Sequence, residues 1–122
     1  MAEKKNETES PDGEAPRAAL PKTLPGVALR HLRALGHDLK PVVMVGKDGI
    51  TDSLVEATRA ALRTHELIKL KIQSEAPVDR HEAAAALAAA TDAVLAQVIG
   101  RTFLLYKRRQ KNPKIVLPKA RS

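Results

Sequence analysis

The chain has 122 residues, and its 21 lysine and arginine residues exceed its 14 acidic residues, which gives a net charge of +7. Hydrophobic residues make up 43% of the chain, enough for one modest core, so we expect a single domain with tails. The absence of cysteine excludes disulfides and cysteine-ligated zinc sites. No apolar run approaches the ~20 residues of a membrane helix, and none follows the charged N-terminus as in a secretory signal. We therefore expect a cytoplasmic protein.

Positive charge is concentrated in the later part of the chain. Residues 1–20 carry three basic and five acidic side chains, whereas residues 21–122 carry 18 basic and nine acidic ones. Residues 101–122 alone contain eight basic residues and no acidic residue. This asymmetry favours a polyanionic partner, and in so basic a chain a nucleic acid. The alternative is a solubilising surface that ends in a basic tail.

The composition divides the chain into a leader, a domain and a tail. Residues 1–22 are rich in Glu, Lys, Ala and Pro and have almost no large apolar side chains. They cannot bury enough surface to offset the entropy of ordering, so we predict a disordered leader. The ordered domain is predicted over residues 23–118, and residues 119–122 form a short tail.

The first predicted elements are a helix and a strand. Thr23 is the expected N-cap of the helix, Pro25 lies in its first turn, and Gly36 ends it. The continuous apolar run Pro41–Val45 predicts a strand covered on both faces. Three- and four-residue spacing predicts an apolar helix stripe of Leu24, Ala28, Leu32, Leu35 and Leu39.

The rest of the pattern alternates between the two kinds of element. The second helix is capped by Thr51 or by a Ser53–Glu56 capping box, and the third by an Asp79–Glu82 capping box. Alternation of apolar and lysine residues predicts a half-buried second strand with a basic outer face. The predicted bounds are helix Asp52–His65, strand Leu67–Ile72, helix Asp79–Asp92, strands Val94–Ile99 and Thr102–Tyr106 joined by a hairpin at Gly100–Arg101, and a short edge strand Ile115–Leu117.

This α-β-α-β-α-β-β order predicts a fold of the α/β class. Strands that alternate with helices imply right-handed crossovers and mainly parallel pairing, with an antiparallel final hairpin. We expect a small two-layer α/β sandwich with a mixed four-stranded sheet.

A Gly-x-x-G turn stands between the first strand and the second helix. Its glycines, Gly46 and Gly49, permit positive φ angles and close approach of a ligand to the backbone. The helix that follows offers free N–H groups and the positive end of its dipole, which suit a phosphate. The turn lacks the Gly-Lys-Ser/Thr of a P-loop and the third glycine of a dinucleotide site, which argues against an NTPase. The alternative is an ordinary strand-to-helix turn.

The segment Leu32–Thr51 resembles the CRM (chloroplast RNA splicing and ribosome maturation) domain in its stand-alone bacterial, YhbY-type form. Three later stretches agree in the same order, so that the resemblance covers about residues 23–118: His65–Ile72, Gln97–Thr102 and Leu105–Arg108. The resemblance implies an RNA-binding domain with a fold similar to the C-terminal domain of bacterial translation initiation factor three. It also implies that the Gly-x-x-G turn contacts RNA and that such proteins associate with precursors of the large ribosomal subunit. Two residues depart from the family pattern: Gly36, where Ala is usual, and Asp48, a carboxylate inside the turn.

The candidate site consists of the turn and the basic residues around it. Phe103 and Tyr106 are too few for a stacking platform, so we expect contacts to RNA backbone and shape. Because they are three residues apart on one strand, the two rings should lie on opposite faces of the sheet, both in the packing. The alternative for Tyr106 is stacking on a base. The four histidines are scattered and the Ser and Thr residues have no adjacent His and acid, so we predict no catalytic residue and no metal site. The candidate RNA-binding residues are Gly46, Lys47, Asp48, Gly49, Lys40, Arg30, Arg33, Lys69, Lys71, Arg101, Lys107, Arg108, Arg109 and Lys111.

Together these patterns predict a protein that binds structured ribosomal RNA during assembly of the large ribosomal subunit. We expect a monomer that needs no cofactor, membrane or small-molecule substrate and is not an enzyme. The nearest alternative is a general RNA chaperone or a group II intron splicing cofactor. A module that docks on an acidic protein is a rival of a different class, and a phosphate-ester enzyme is more distant.

Overall fold

The computed structural model describes residues 24–118. The predicted leader, the predicted cap Thr23 and the tail 119–122 lie outside these residues. The predicted order of the three helices and the first four strands is confirmed, and from β1 to β4 every bound agrees with the prediction to within one residue. The elements are α1 (Gly26–Gly36), β1 (Pro41–Val45), α2 (Asp52–His65), β2 (Leu67–Ile72), α3 (Arg80–Thr91), β3 (Val94–Ile99) and β4 (Thr102–Tyr106).

The four strands form one mixed sheet in the order β1-β2-β4-β3. β1 and β2 are parallel, whereas β2–β4 and β3–β4 are antiparallel. The mixed four-stranded sheet is confirmed, but the prediction of mainly parallel pairing is wrong. The tight turn at Gly100–Arg101 forces β4 back along β3, and β4 rather than β3 then pairs with β2.

Helices cover both faces of the sheet. α2 and α3 pack on one face over the larger core, which includes Leu70, Leu87 and Phe103. α1 packs on the other face over a smaller cluster that includes Leu32, Leu67 and Leu104. The α/β fold is as predicted, but α1 makes a third layer where a two-layer sandwich was expected.

α1 lies close to the sheet because small residues face it. Its start differs from the prediction, since the N-cap is Pro25 and the first helical residue is Gly26. Ala28, Leu32 and Gly36 are buried, and a Cβ added at Gly36 would lie 2.4 Å from a Leu104 methyl carbon. The helix ends at Gly36, as predicted. Leu35 and Leu39 of the predicted stripe are about two-fifths exposed, at 42% and 38%, so only part of it is core.

β1 is an edge strand with one uncovered face. Val43 and Val45 point into the larger core, whereas Val42 and Met44 on the opposite face are 53% and 48% exposed. The prediction of a strand covered on both faces is therefore wrong. α1 packs mainly on β2, β3 and β4, so it does not shield this end of the sheet.

The caps of α2 and α3 explain why these helices begin where they do. The Thr51 hydroxyl accepts the backbone N–H of Leu54 at 3.1 Å, so Thr51 is the N-cap of α2 and the Ser53–Glu56 capping box is wrong. The capping box of α3 is confirmed, because Asp79 and Glu82 each accept a hydrogen bond from the other residue's backbone. Within residues 24–118 no helix has the length and apolar character to cross a bilayer.

Candidate nucleic-acid interface

The Gly46–Gly49 segment forms a closed turn at the end of β1. The N–H of Gly49 donates to the carbonyl of Gly46 at 3.0 Å, which leaves Lys47 and Asp48 exposed at the tip. Gly49 is buried, has a φ of +70°, and lies so close to Pro77 that an added Cβ would be 3.2 Å from its Cγ. The two glycines therefore hold a tight, projecting turn with one cation at its tip.

The start of α2 is less favourable to an anion than the sequence suggests. One N–H of the first turn, that of Leu54, is occupied by Thr51. Asp48 is exposed in the turn, and Asp52 is exposed at the first helical position, so two carboxylates stand beside the helix N-terminus. Like charges oppose a phosphate there. A phosphate at this turn would therefore depend on the cations around it.

Two more of the predicted cations lie at the same end of the sheet as the turn. The carbonyl of Arg101 accepts the N–H of Ile72 at 2.8 Å, which places the β3–β4 turn beside the end of β2. Lys71 pairs in register with Met44 on one side and Thr102 on the other, and its side chain is exposed. We call this group, Lys47, Lys71 and Arg101 with the Gly46–Gly49 turn, the loop-end cluster.

Arg80 belongs to the same end of the molecule but was not predicted. Its guanidinium donates to the carbonyl of Gly100 at 2.9 Å, beside Arg101. The two arginines line a shallow cavity of about 260 Å³ together with Gln73 and Asp79. In the sequence, Arg80 follows the N-cap of an Ala-rich helix with nothing to distinguish it, and only the hairpin's position reveals its neighbours.

Four further predicted cations lie beside α1, away from the turn. The ammonium of Lys69 donates to the carbonyl of His37 at 3.4 Å, and Lys40 immediately precedes Pro41, which pairs with Lys69. The Arg33 side chain reaches the carbonyl of Ala96 on the far edge strand at 3.4 Å. The guanidinium group of Arg30 lies next to Gly26 on the same helix, 3.4 Å from where a Cβ of residue 26 would be. Lys69 thus lies two residues along β2 from Lys71, whereas Lys40 at the start of β1 lies a strand length from the Gly46–Gly49 turn. Arg30 and Arg33 lie elsewhere on the surface.

The basic residues after β4 lie at the opposite end of the sheet. Lys107 follows Tyr106, which pairs with Leu67 at the start of β2. The six residues of β2 separate this end from the loop end by about 20 Å, at about 3.3 Å per residue. Lys107, Arg108, Arg109 and Lys111 line a cavity of about 390 Å³ with Arg59 and Arg63 of α2, two cations that the sequence analysis missed.

A buried carboxylate that the sequence analysis also missed holds this segment in place. Glu66 is 1% exposed, and its side chain accepts three backbone N–H groups: from Arg109 at 3.1 Å, Lys114 at 2.7 Å and Ile115 at 3.0 Å. Burial alone would raise the pKa of Glu66, but these donors and the Arg109 charge outweigh it, so the pKa lies below its ordinary value. The predicted edge strand Ile115–Leu117 is wrong, because this stretch forms no strand.

The two aromatic residues are unavailable for base stacking. Phe103 is 0% exposed in the larger core, and Tyr106 is 4% exposed in the smaller cluster on the other face. Their opposite directions and their role in packing are confirmed. Burial and the charge of Glu66 raise the pKa of Tyr106, against the opposing charge of Arg108. Within the described part of the chain, no three His, Asp or Glu side chains are grouped to hold a metal ion.

The sequence of this chain is similar to a known domain family and to several named proteins. The family model for the CRS1/YhbY (CRM) domain matches residues 24–107. The Bacillus subtilis protein named Probable RNA-binding protein YqeI is 37% identical over 95 residues, which cover 78% of this chain and 99% of the relative. A Haemophilus influenzae protein named RNA-binding protein is 36% identical over 88 residues, 72% of this chain and 88% of that protein.

A solved structure supports the fold as well. The solution structure of a Staphylococcus aureus protein, titled as a candidate RNA-binding protein, is similar with a TM-score of 0.68 and 35% identity. The match covers 78% of this chain and 99% of that protein. The relatives are named for binding rather than for a reaction, in agreement with the prediction of no enzymatic activity. The chain belongs to the CRS1/YhbY (CRM) domain family.

Proposed function

We propose that this protein binds RNA through the loop-end cluster. The observation that carries the proposal is the exposed tip of the Gly46–Gly49 turn, where Lys47 lies at the same end of the sheet as Lys71 and Arg101. Arg80, beside Arg101, and Lys69, two residues from Lys71 on β2, extend this positive surface. Cations on a rigid scaffold attract the phosphates of RNA and fix its position. The names of the relatives, which are RNA-binding proteins, support the same partner.

Recognition relies on the backbone and shape of the RNA. Sequence-specific readers of single-stranded RNA stack bases on aromatic side chains, but Phe103 and Tyr106 are both buried. The exposed groups of the loop-end cluster are the ammonium groups of Lys47 and Lys71 and the guanidinium group of Arg101. These groups suit phosphates and 2′-hydroxyls of a folded RNA.

The RNA that best fits these properties is structured ribosomal RNA in a precursor of the large ribosomal subunit. This choice rests on the sequence resemblance to stand-alone CRM proteins, which associate with such precursors. In this proposal the domain acts as a cytoplasmic monomer without a cofactor, and residues 1–22 are a leader outside it. A general RNA chaperone or an intron-splicing cofactor would use the same contacts on another RNA. Docking on an acidic protein is the alternative that involves no RNA.

Sedimentation of cell lysate tests the proposed ribosomal RNA. The wild-type chain should co-migrate with large-subunit or precursor particles at low salt and leave them at raised salt, because ion release drives the contact. A Lys47→Ala/Lys71→Ala/Arg101→Ala variant should move to the top of the gradient. Lys114→Ala, which removes an exposed cation outside the cluster, should still co-migrate. Wild-type protein at the top of the gradient even at low salt would exclude the ribosomal assignment.

A further inference from the structure

We propose that the cavity between α2 and residues 107–111 is a second RNA site, which takes up one nucleotide together with its phosphate. The inference rests on the proposed RNA-binding function and adds a second, separate contact. The cavity lies at the end of the sheet opposite the loop-end cluster, about 20 Å away by the length of β2.

The cavity has the size and the charge of an anion-binding pocket. Its volume of about 390 Å³ falls within the roughly 300–1,000 Å³ of small-molecule pockets. Six of its nine lining residues are lysine or arginine, and none is acidic. The lining residues are Arg59, Leu62, Arg63, Thr91, Lys107, Arg108, Arg109, Gln110 and Lys111.

Neighbouring carboxylates neutralise only part of this charge. Arg59 forms an ion pair with Glu56 and donates to the carbonyl of Ala90 at 2.9 Å. The buried carboxylate of Glu66 lies behind Arg109 and offsets its charge. The ammonium of Lys107 donates to the carbonyl of Thr91 at 3.1 Å.

Three cations remain for a ligand. The side chains of Arg63, Arg108 and Lys111 form no hydrogen bond or ion pair with any other residue between 24 and 118. All three are exposed at the cavity. They supply net positive charge for a phosphate at the rim.

The lining also offers more than charge. Leu62 and the aliphatic stems of the arginines give the cavity an apolar part, which a bare phosphate would leave unused. Arginine guanidinium planes stack on nucleic-acid bases when aromatic side chains are absent. A nucleotide, with a planar base joined to a phosphate, matches both parts of the lining. A nucleotide within an RNA chain that is already bound to the protein avoids most of the translational entropy that a free nucleotide loses on binding.

Glu66 positions one wall of the cavity. Its carboxylate accepts the N–H of Arg109, and its backbone carbonyl accepts the N–H of Lys107 at 2.8 Å. The N–H groups of Lys114 and Ile115 anchor the far side of the same segment. Residues 107–111 are therefore an ordered wall fixed by a buried acid, which distinguishes the cavity from a basic tail.

Titration of the isotope-labelled protein with adenosine 5′-monophosphate, followed by backbone amide NMR shifts, tests the pocket. We expect shifts at residues 107–111 and around Arg63 that are larger than those from adenosine or inorganic phosphate alone. Arg63→Ala/Arg108→Ala should abolish these shifts and weaken binding of a structured RNA about threefold to tenfold. Lys114→Ala keeps the backbone N–H that donates to Glu66, so this variant should retain both the nucleotide-induced shifts and the wild-type RNA affinity. Unchanged melting temperatures would show that the variants are folded.

The possible failures are distinct. If the wild-type chain binds no RNA, the proposed function is wrong whatever the nucleotide does. If it binds RNA but adenosine 5′-monophosphate leaves residues 107–111 unshifted, only the pocket is wrong. Equal shifts with inorganic phosphate would reduce the cavity to a simple anion site and overturn the nucleotide assignment. Nucleotide shifts combined with unchanged RNA affinity of the double variant would indicate a site for free nucleotides and overturn the assignment to RNA.

Discussion

At the scale of single residues, the buried Glu66 connects several parts of the structure, and no pattern in the sequence indicates this role. It is the only residue between α2 and β2, and it has a φ of +61°, which residues other than glycine rarely adopt. Its backbone N–H donates to the carbonyl of Leu62 at 2.9 Å and caps α2. Its carboxylate accepts hydrogen bonds from three backbone N–H groups of the C-terminal segment. One buried acid thus joins the helix, the sheet and the segment that walls the cavity.

Replacing this acid by its neutral analogue should destabilise the fold. In Glu66→Gln the amide has one acceptor oxygen for three donors, and its NH₂ group faces N–H groups. Each buried donor left without a partner costs about 1–3 kcal/mol, so we expect a loss on the order of 2 kcal/mol or more in the free energy of unfolding. Chemical denaturation measures it, with the exposed Glu75→Gln as control. Equal stability of Glu66→Gln and wild type would remove the carboxylate from this role.

The stabilisation by Glu66 should also depend on pH. Because its pKa is lower in the folded state than in the unfolded state, the ionised form favours folding. The contribution is complete above the unfolded pKa, about 4.3, and is lost as the pH falls through the folded pKa. The difference in unfolding free energy between wild type and Glu66→Gln should therefore shrink below about pH 4.3. A difference that stays constant down to the acid transition would contradict this assignment.

At the scale of elements, the Gly46–Gly49 turn positions the candidate RNA contact through two glycines with different demands. Gly49 has a positive φ and contacts Pro77, whereas at Gly46 an added Cβ would meet only the side-chain oxygen of Gln73 at 3.1 Å. A flexible side chain can move aside, but a strained backbone angle persists. The second glycine is therefore the one that fixes the shape of the turn.

Two alanine substitutions test this difference. Gly49→Ala should lower the free energy of unfolding by about 1–2 kcal/mol, the cost of a left-handed angle for a residue with a Cβ. Gly46→Ala should cost clearly less, since Gln73 can change rotamer. Thermal melting of the two variants beside wild type gives the comparison. Equal losses for the two would show that the positive φ of Gly49 does not determine the turn.

Local signals explain which elements could be predicted from the sequence. The start of α2 follows from its cap, the bounds of β2 from its alternating pattern, and the start of β4 from the turn at Gly100–Arg101. The pairing of β4 with β2, and the exposure of Val42 and Met44, depend on which elements lie next to them in space. A five-residue apolar run occurs both in edge strands and in buried strands, so the run alone does not show whether both faces of the strand are covered. The location of α1 on the opposite face was likewise beyond a single-sequence pattern.

At the scale of the whole molecule, positive charge is divided between two ends of one sheet. The sequence analysis identified most of the cations but could not group them. Lys71 lies on β2 and Lys107 follows β4, and only the fold defines the register of these two strands. Arg59, Arg63 and Arg80 were missed for the same reason, because only the fold brings α2 beside residues 107–111 and α3 beside the β3–β4 turn. The division predicts that RNA bound at both ends must extend for several nucleotides across the molecule.

The most direct measurement of the central claim is a titration of a structured RNA by fluorescence anisotropy over about 50–200 mM salt. Wild-type affinity should fall as salt rises, because bound lysines and arginines release counterions from the RNA. Lys47→Ala should bind more weakly across RNA sequences, with a salt slope smaller by about one, whereas Lys114→Ala should keep the wild-type slope. If Lys47→Ala retained both the affinity and the slope of wild type, the Gly46–Gly49 turn would not be the RNA contact.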